Sequence, residues 1–119
     1  MEIDIKIYVK GTSEKPFLGH GPVQLLEKIG NIGSIRKAAL QMNMSYSKAH
    51  SMILRMEKEV GNSLLERNIG GRGGGGAKLT PAAFELIKGY RRLETGIKQD
   101  SGKKFRFLQE KIISIGKNA

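Results

Sequence analysis

The chain has 119 residues, a formal charge of +10 from 21 Lys and Arg against 11 Asp and Glu, and no cysteine. These totals fit one small domain with a modest core, and exclude disulfides, thiol nucleophiles and thiolate metal sites. The only histidines, His20 and His50, lie in different segments and lack metal-ligand spacing, so neither metal nor cofactor is expected.

The first segment, Glu2 to Lys10, alternates Ile3, Ile5, Ile7 and Val9 with Asp4, Lys6 and Tyr8, which predicts a half-buried strand. Gly11 to Gly21 reads as a polar loop containing Pro16, with Phe17 and Leu18 tucked onto the core. Gly21-Pro22 opens a helix, since the missing N–H of proline costs nothing in a first turn. Val23, Leu26 and Ile29 share its inner face, and Gly30 is the expected stop. The next helix runs from Gly33 to Met42 with Ser34 as N-cap. Asn43 is the pivot of a tight turn, because Asn tolerates the left-handed conformation. Ala38 and Ala39 allow close helix approach there, and Met42 and Met44 act as flexible fillers.

A longer amphipathic helix spans Ser45 to Val60. Ala49, Ile53, Met56 and Val60 fall in one stripe at 100° per residue and face the core. Ser47, Ser51, Leu54 and Lys58 take the opposite side, bordered by His50 and Arg55, with Tyr46 and Lys48 near the start. That side reads either as a solvated face or as a contact surface.

Asn62 to Thr80 reads as a β-hairpin whose tip, residues 70–76, is glycine except for Arg72. Gly71, Gly73 and Gly76 satisfy G-x-G-x-x-G, but a short strand follows them where a pyrophosphate site needs a helix, and no Gly-Lys-Ser/Thr completes a P-loop. Thr80-Pro81 then starts a helix. Leu86, Tyr90, Leu93 and Ile97, then Phe105, Leu108, Ile112 and Ile115, form two apolar seams separated by a polar stretch. They predict one bent helix or two, and exceed what a small domain needs for its own core. Dimerisation is the preferred reading, with intramolecular packing as the alternative. The expected division is a domain over 1–97 and a helical extension over 98–119.

No apolar run approaches bilayer length and the N-terminus lacks a signal-peptide core, so a soluble cytoplasmic protein without a membrane partner is expected. The cationic excess favours a polyanion: nucleic acid first, an anionic membrane surface second. No nucleophile–base pair or paired carboxylates stand out. Glu57 and Glu59, two apart on a helix, point to different sides, so no enzyme is expected.

The stretch GSIRKAALQMNMSYSKAHSMILRMEKEVGNSLLERN, the glycine run and AKLTPAA resemble the winged helix-turn-helix of bacterial LysR-type regulators. A narrower resemblance is to the N-terminal half of ModE-type, molybdate-responsive repressors. It rests on Gly33-Ser34-Ile35 with the paired alanines, on Met44-Ser45-Tyr46, and on Glu66-Arg67 before the glycine run and Ala77. It covers roughly residues 2 to 97. It implies a mainly α fold with a small antiparallel β-sheet, a winged helix-turn-helix with a long C-terminal helix. It also implies binding of double-stranded DNA and dimerisation. ModE-type repressors carry C-terminal oxyanion-binding domains for which this chain has no room, so molybdate or another oxyanion is not expected to bind.

Under that reading the Ser45 helix enters the major groove, and two copies read a palindromic operator. The DNA-binding set is Ser34, Arg36, Lys37, Ser45, Tyr46, Ser47, Lys48, His50, Ser51, Arg55, Arg72 and Lys78. Ser47 and Ser51 meet base edges or phosphates, Lys48 and Lys58 phosphates, and Arg55 a guanine if it reaches. Arg72 enters or straddles the minor groove, and Arg36 and Lys37 position the module on the backbone. The dimerising set is Leu86, Tyr90, Leu93, Ile97, Phe105, Leu108 and Ile112. Competing readings are a winged-helix protein-interaction module and a non-specific DNA binder.

Overall fold

A computed structural model, described for residues 1–67 and 76–118, has eight elements. In order they are β1 (Val9–Lys10), β2 (Pro16–Leu18), α1 (His20–Ile32), α2 (Ile35–Gln41), α3 (Tyr46–Val60), β3 (Leu65–Arg67), β4 (Ala77–Leu79) and α4 (Pro81–Lys117). Two antiparallel pairs, β1–β2 and β3–β4, flank the helices. The chain is thus mainly α with small antiparallel sheets, in a winged helix-turn-helix arrangement. Residues 70–75 of the expected hairpin tip, Arg72 among them, lie outside the described residues, and so does Ala119.

The core gathers one face of each helix. Val23, Leu25, Leu26 and Ile29 of α1 meet Ile35, Ala38 and Ala39 of α2 and Ala49, Ile53 and Met56 of α3. Leu18, Leu64, Leu65, Ala77, Ala83 and Tyr90 close it. No polar or charged residue is buried among the described residues. Val60 departs from the expected stripe. It ends α3 and is exposed, because the core no longer extends beneath the last turn.

The N-terminal segment differs from the expected long strand. Ile5, Ile7 and Val9 are half-buried and their neighbours exposed, as the alternation requires, yet only Val9 and Lys10 join a ladder. Their partners are Leu18 and Pro16, so the expected polar loop contains a second strand. Proline is tolerated in this ladder because such short pairs are all edge. The Tyr90 hydroxyl ties the unpaired part down by donating to the Ile7 carbonyl at 3.0 Å.

Helix α1 does not stop at Gly30. It ends at Gly33, whose φ of 81° is the left-handed cap and whose N–H bonds the Ile29 carbonyl. Gly30 serves packing instead, since a Cβ there would lie 2.6 Å from Leu79 Cδ1. Asn43, at φ 55°, is the only non-glycine residue with positive φ among those described, and it turns α2 into α3 as expected. Helix α4 is one continuous helix of 37 residues, and Gly96 and Gly102 do not interrupt it. Thr80 caps it, accepting from the Ala83 N–H and donating to the Ser63 carbonyl at 2.7 Å.

The two carboxylates of α3 brace different loops. Glu57 accepts from the Leu64 N–H at 2.8 Å. Glu59 accepts from the Thr12 N–H at 3.1 Å and from its hydroxyl at 2.7 Å. These Thr12 bonds hold the Glu59 carboxyl below its usual range. A carboxylate with a depressed folded pKa adds stability above its unfolded pKa, and that stability is lost as pH falls through the folded value. The difference between wild type and Glu59→Gln is therefore expected at neutral pH and to vanish in acid. Denaturant melts across pH 2–7, roughly spanning the carboxylate range, check this.

Candidate nucleic-acid interface

Capping builds the start of α3. Ser45 is extended, and its Oγ accepts the Lys48 N–H at 3.0 Å. Ser34 does the same for α2, accepting from Lys37 at 3.2 Å. Both hydroxyls keep their own proton for donation to a phosphate oxygen. The first-turn N–H groups of α3 and the helix dipole add partial positive charge at the same end. The turn that aims α3 is closed by the Met44 N–H on the Ala39 carbonyl at 3.0 Å. Ala38 and Ala39 are fully packed beneath it.

The outward side of α3 carries Tyr46, Ser47, Lys48, Ser51, Leu54, Arg55 and Lys58, all exposed, with His50 half-buried beside them. Ser47 and Ser51 bond no protein group among the described residues. Lys37, Lys48, Arg55, Lys58 and Lys78 make no salt bridge there. Lys78 stands on β4 opposite Glu66 of β3. A capped helix thus presents hydroxyls and unneutralised cations together, the composition that suits a phosphate-lined groove.

Four side chains form a string across three elements. The Arg36 guanidinium lies 4.8 Å from the Tyr46 ring centroid. Tyr46 stacks on His50 at 5.8 Å with 22° between the planes. Arg67, on β3, reaches His50 Nε2 with Nη1 at 3.3 Å. Arg36, Tyr46 and His50 are among the residues expected at the interface. Arg67 is not; the sequence marks it only as part of the Glu66-Arg67 motif before the glycine run, because the partner that would give it a role is 17 residues away.

Three of the cations on α4, Arg91, Lys98 and Lys104, have acidic partners among the described residues. Arg91 donates to both carboxylate oxygens of Glu27 and, at 2.8 Å, to Glu94. The Glu27 hydrogen bond raises the Arg91 pKa above its ordinary value, against the opposing effect of burial. Burial pushes Glu94 up, but Arg91, Lys98 and His20 outweigh it and hold Glu94 low. Lys104 pairs with Asp100 at 2.8 Å. Positive charge is paired there, whereas Lys88, Arg92, Lys103, Arg106, Lys111 and Lys117 of the same helix make no salt bridge among the described residues. Between this cluster and the N-terminal segment lies a groove of about 360 Å³, and no residue of α3 lines it.

The expected dimerising residues divide. Leu86 packs against the core and Tyr90 is buried in it, its pKa raised by that burial. Leu93, Ile97, Leu108 and Ile112 are exposed, and Phe105 is half-buried. At 3.6 residues per turn all seven lie within an arc of about 120°. The face that covers the core at Leu86 and Tyr90 therefore continues beyond it, uncovered. Among the described residues no helix is long and apolar enough to cross a membrane, and no three metal-ligating side chains cluster.

Residues 22–84 match the profile of the bacterial regulatory helix-turn-helix protein, lysR family. The chain is 41% identical over 70 residues to the molybdenum transport protein ModE of Herbaspirillum seropedicae, a match over 59% of this chain and 26% of that one. It is 35% identical over 99 residues to the transcriptional regulator ModE of Haemophilus influenzae, over 83% of this chain and 37% of that one. The matched part is thus well under half of these relatives' length. In fold the chain is similar to the crystal structure of the CbnR_DBD–DNA complex, with TM-score 0.55 and 22% identity, covering 72% of this chain and 92% of that one.

Proposed function

The chain belongs to the lysR family of bacterial regulatory helix-turn-helix proteins, and from that premise we propose that it is a sequence-specific DNA-binding transcription regulator. The observation that carries the reading is the outward face of α3, where Ser47 and Ser51 stand among cations without acidic partners. Relatives called transcriptional regulators, and a structural neighbour bound to DNA, support it. The reading helix enters the major groove, and Lys48, Lys58 and Arg36 settle it on the backbone. Arg55 is the side chain suited to a guanine edge. The regulator acts in the cytoplasm as a homodimer joined by the uncovered face of α4 around Ile97, Leu108 and Ile112. Two copies then read an inverted repeat. The molybdenum in the relatives' names is not assigned to this chain.

Selection from a randomised duplex pool is expected to enrich an inverted repeat. Its affinity should fall by about 10³ or more between 50 and 200 mM salt, as for a protein making several phosphate contacts. Enrichment of no motif would overturn sequence-specific reading, and salt-insensitive binding would overturn the phosphate contacts. Light scattering is expected to give a dimer for the wild type and a monomer for Leu108→Glu. A monomeric wild type removes the dimer.

A further inference from the structure

We propose that Arg67 is a DNA phosphate contact held in place by His50, and that Tyr46 and His50 act as its support instead of reading bases. This rests on the DNA-binding reading of α3. A guanidinium has no acceptor, so in the 3.3 Å contact Arg67 Nη1 donates and His50 Nε2 accepts. One Arg67 donor is used and the remaining N–H groups of the fork are left for a ligand. Arg67 is exposed and joins no salt bridge among the described residues.

The rest of the string explains why the side chain is fixed. His50 is half-buried and lies against Tyr46 with only 22° between the rings. Tyr46 is in turn covered on α2 by the Arg36 guanidinium at 4.8 Å. The two stacked rings thus lie between two cations, Arg36 of α2 over the Tyr46 ring and Arg67 of β3 bonded to the His50 Nε2 edge, and neither ring can swing toward a base edge without breaking one of these contacts. Arg67 ends β3 opposite Ala77, at the loop end of the β3–β4 ladder and on a different element from α3. A planar fork held in one direction beside a helix that lies in the groove fits a phosphodiester, which accepts two parallel N–H bonds.

The test titrates the chain with a fluorescent random-sequence duplex and follows anisotropy from roughly 50 to 200 mM salt. Arg67→Ala is expected to lower the magnitude of the salt slope by about one and weaken binding about tenfold. His50→Ala is expected to weaken binding severalfold. His50→Gln, whose amide oxygen still accepts from Arg67, is expected to restore most of it. A role in folding alone would not move the salt slope, and thermal melts of each variant separate the two. An unchanged slope in Arg67→Ala, with wild-type binding intact, overturns this assignment alone. So does a His50→Gln protein no better than His50→Ala. A wild-type chain that binds no duplex overturns the DNA reading and this assignment with it.

Discussion

Ser51→Asp is expected to abolish DNA binding while leaving the melting temperature within a degree or two of wild type. Ser51 is exposed on the side of α3 away from the core, so the fold has nothing to lose from the change. Surface substitutions of this kind cost about 0.5 kcal/mol or less. In the groove the same carboxylate meets a surface carrying one negative charge per roughly 1.7 Å of duplex. Like charges brought together at an interface cost several kcal/mol, which is about a 100-fold loss or more. Ser51→Ala is the companion variant. It removes one hydroxyl and adds no charge, so its loss is expected to be near tenfold or less, about the value of one hydrogen bond. Anisotropy titration measures both. Equal affinities for wild type and Ser51→Asp would place the DNA on some other face.

Ile53→Ala produces the opposite separation. Ile53 is fully buried between α3 and the rest of the core, two positions from Ser51. Deleting its outer carbons removes buried apolar surface and leaves a cavity, at a cost of about 2–5 kcal/mol. That is a large part of the roughly 5–15 kcal/mol available to a small domain. The melting temperature is expected to fall by about 10 °C or more. Leu54→Ala, at an exposed neighbouring position, is expected to change stability by about 0.5 kcal/mol or less. The contrast between adjacent residues tests which way α3 faces. Similar losses from both would mean the helix is rotated from the arrangement described.

Much of this organisation was legible in the chain before folding. Ser34 and Thr80 cap the helices they were expected to cap, and Ser45, expected as the first residue of its helix, is that helix's cap, because a hydroxyl at a helix start has one dominant use. Asn43 takes the left-handed turn for a similarly local reason. The outward set on α3 followed from helical period alone. The failures share a cause, which is that the deciding partner is distant in sequence. Gly30 looked like a helix stop and is a point of contact with Leu79. Pro16–Leu18 is too short to show alternation and becomes a strand only by meeting Val9 and Lys10. The alternation reported which side faces inward from Ile5 to Val9 but not at Ile3, which is exposed, and not whether a neighbouring strand was present. Arg67 acquires a role only when β3 is brought beside His50. Tyr90 belongs to a helical seam in the sequence, yet its place is decided by the Ile7 carbonyl.

The unbroken run of α4 has a mechanical consequence. From Leu93 to Lys117 the helix extends about 36 Å at 1.5 Å per residue. Over that length a tilt of about 10° at the root moves the far end by about 6 Å, nearly twice the rise of one base pair. In the proposed dimer each α4 is then a lever arm whose fulcrum is Tyr90, with the Arg91 bridge to Glu27 and Glu94 as its clamp. Small changes at that clamp would be magnified into the separation of the two reading helices. In that proposed dimer the spacing of the half-sites would be set as much by the stiffness of this joint as by the residues that touch DNA.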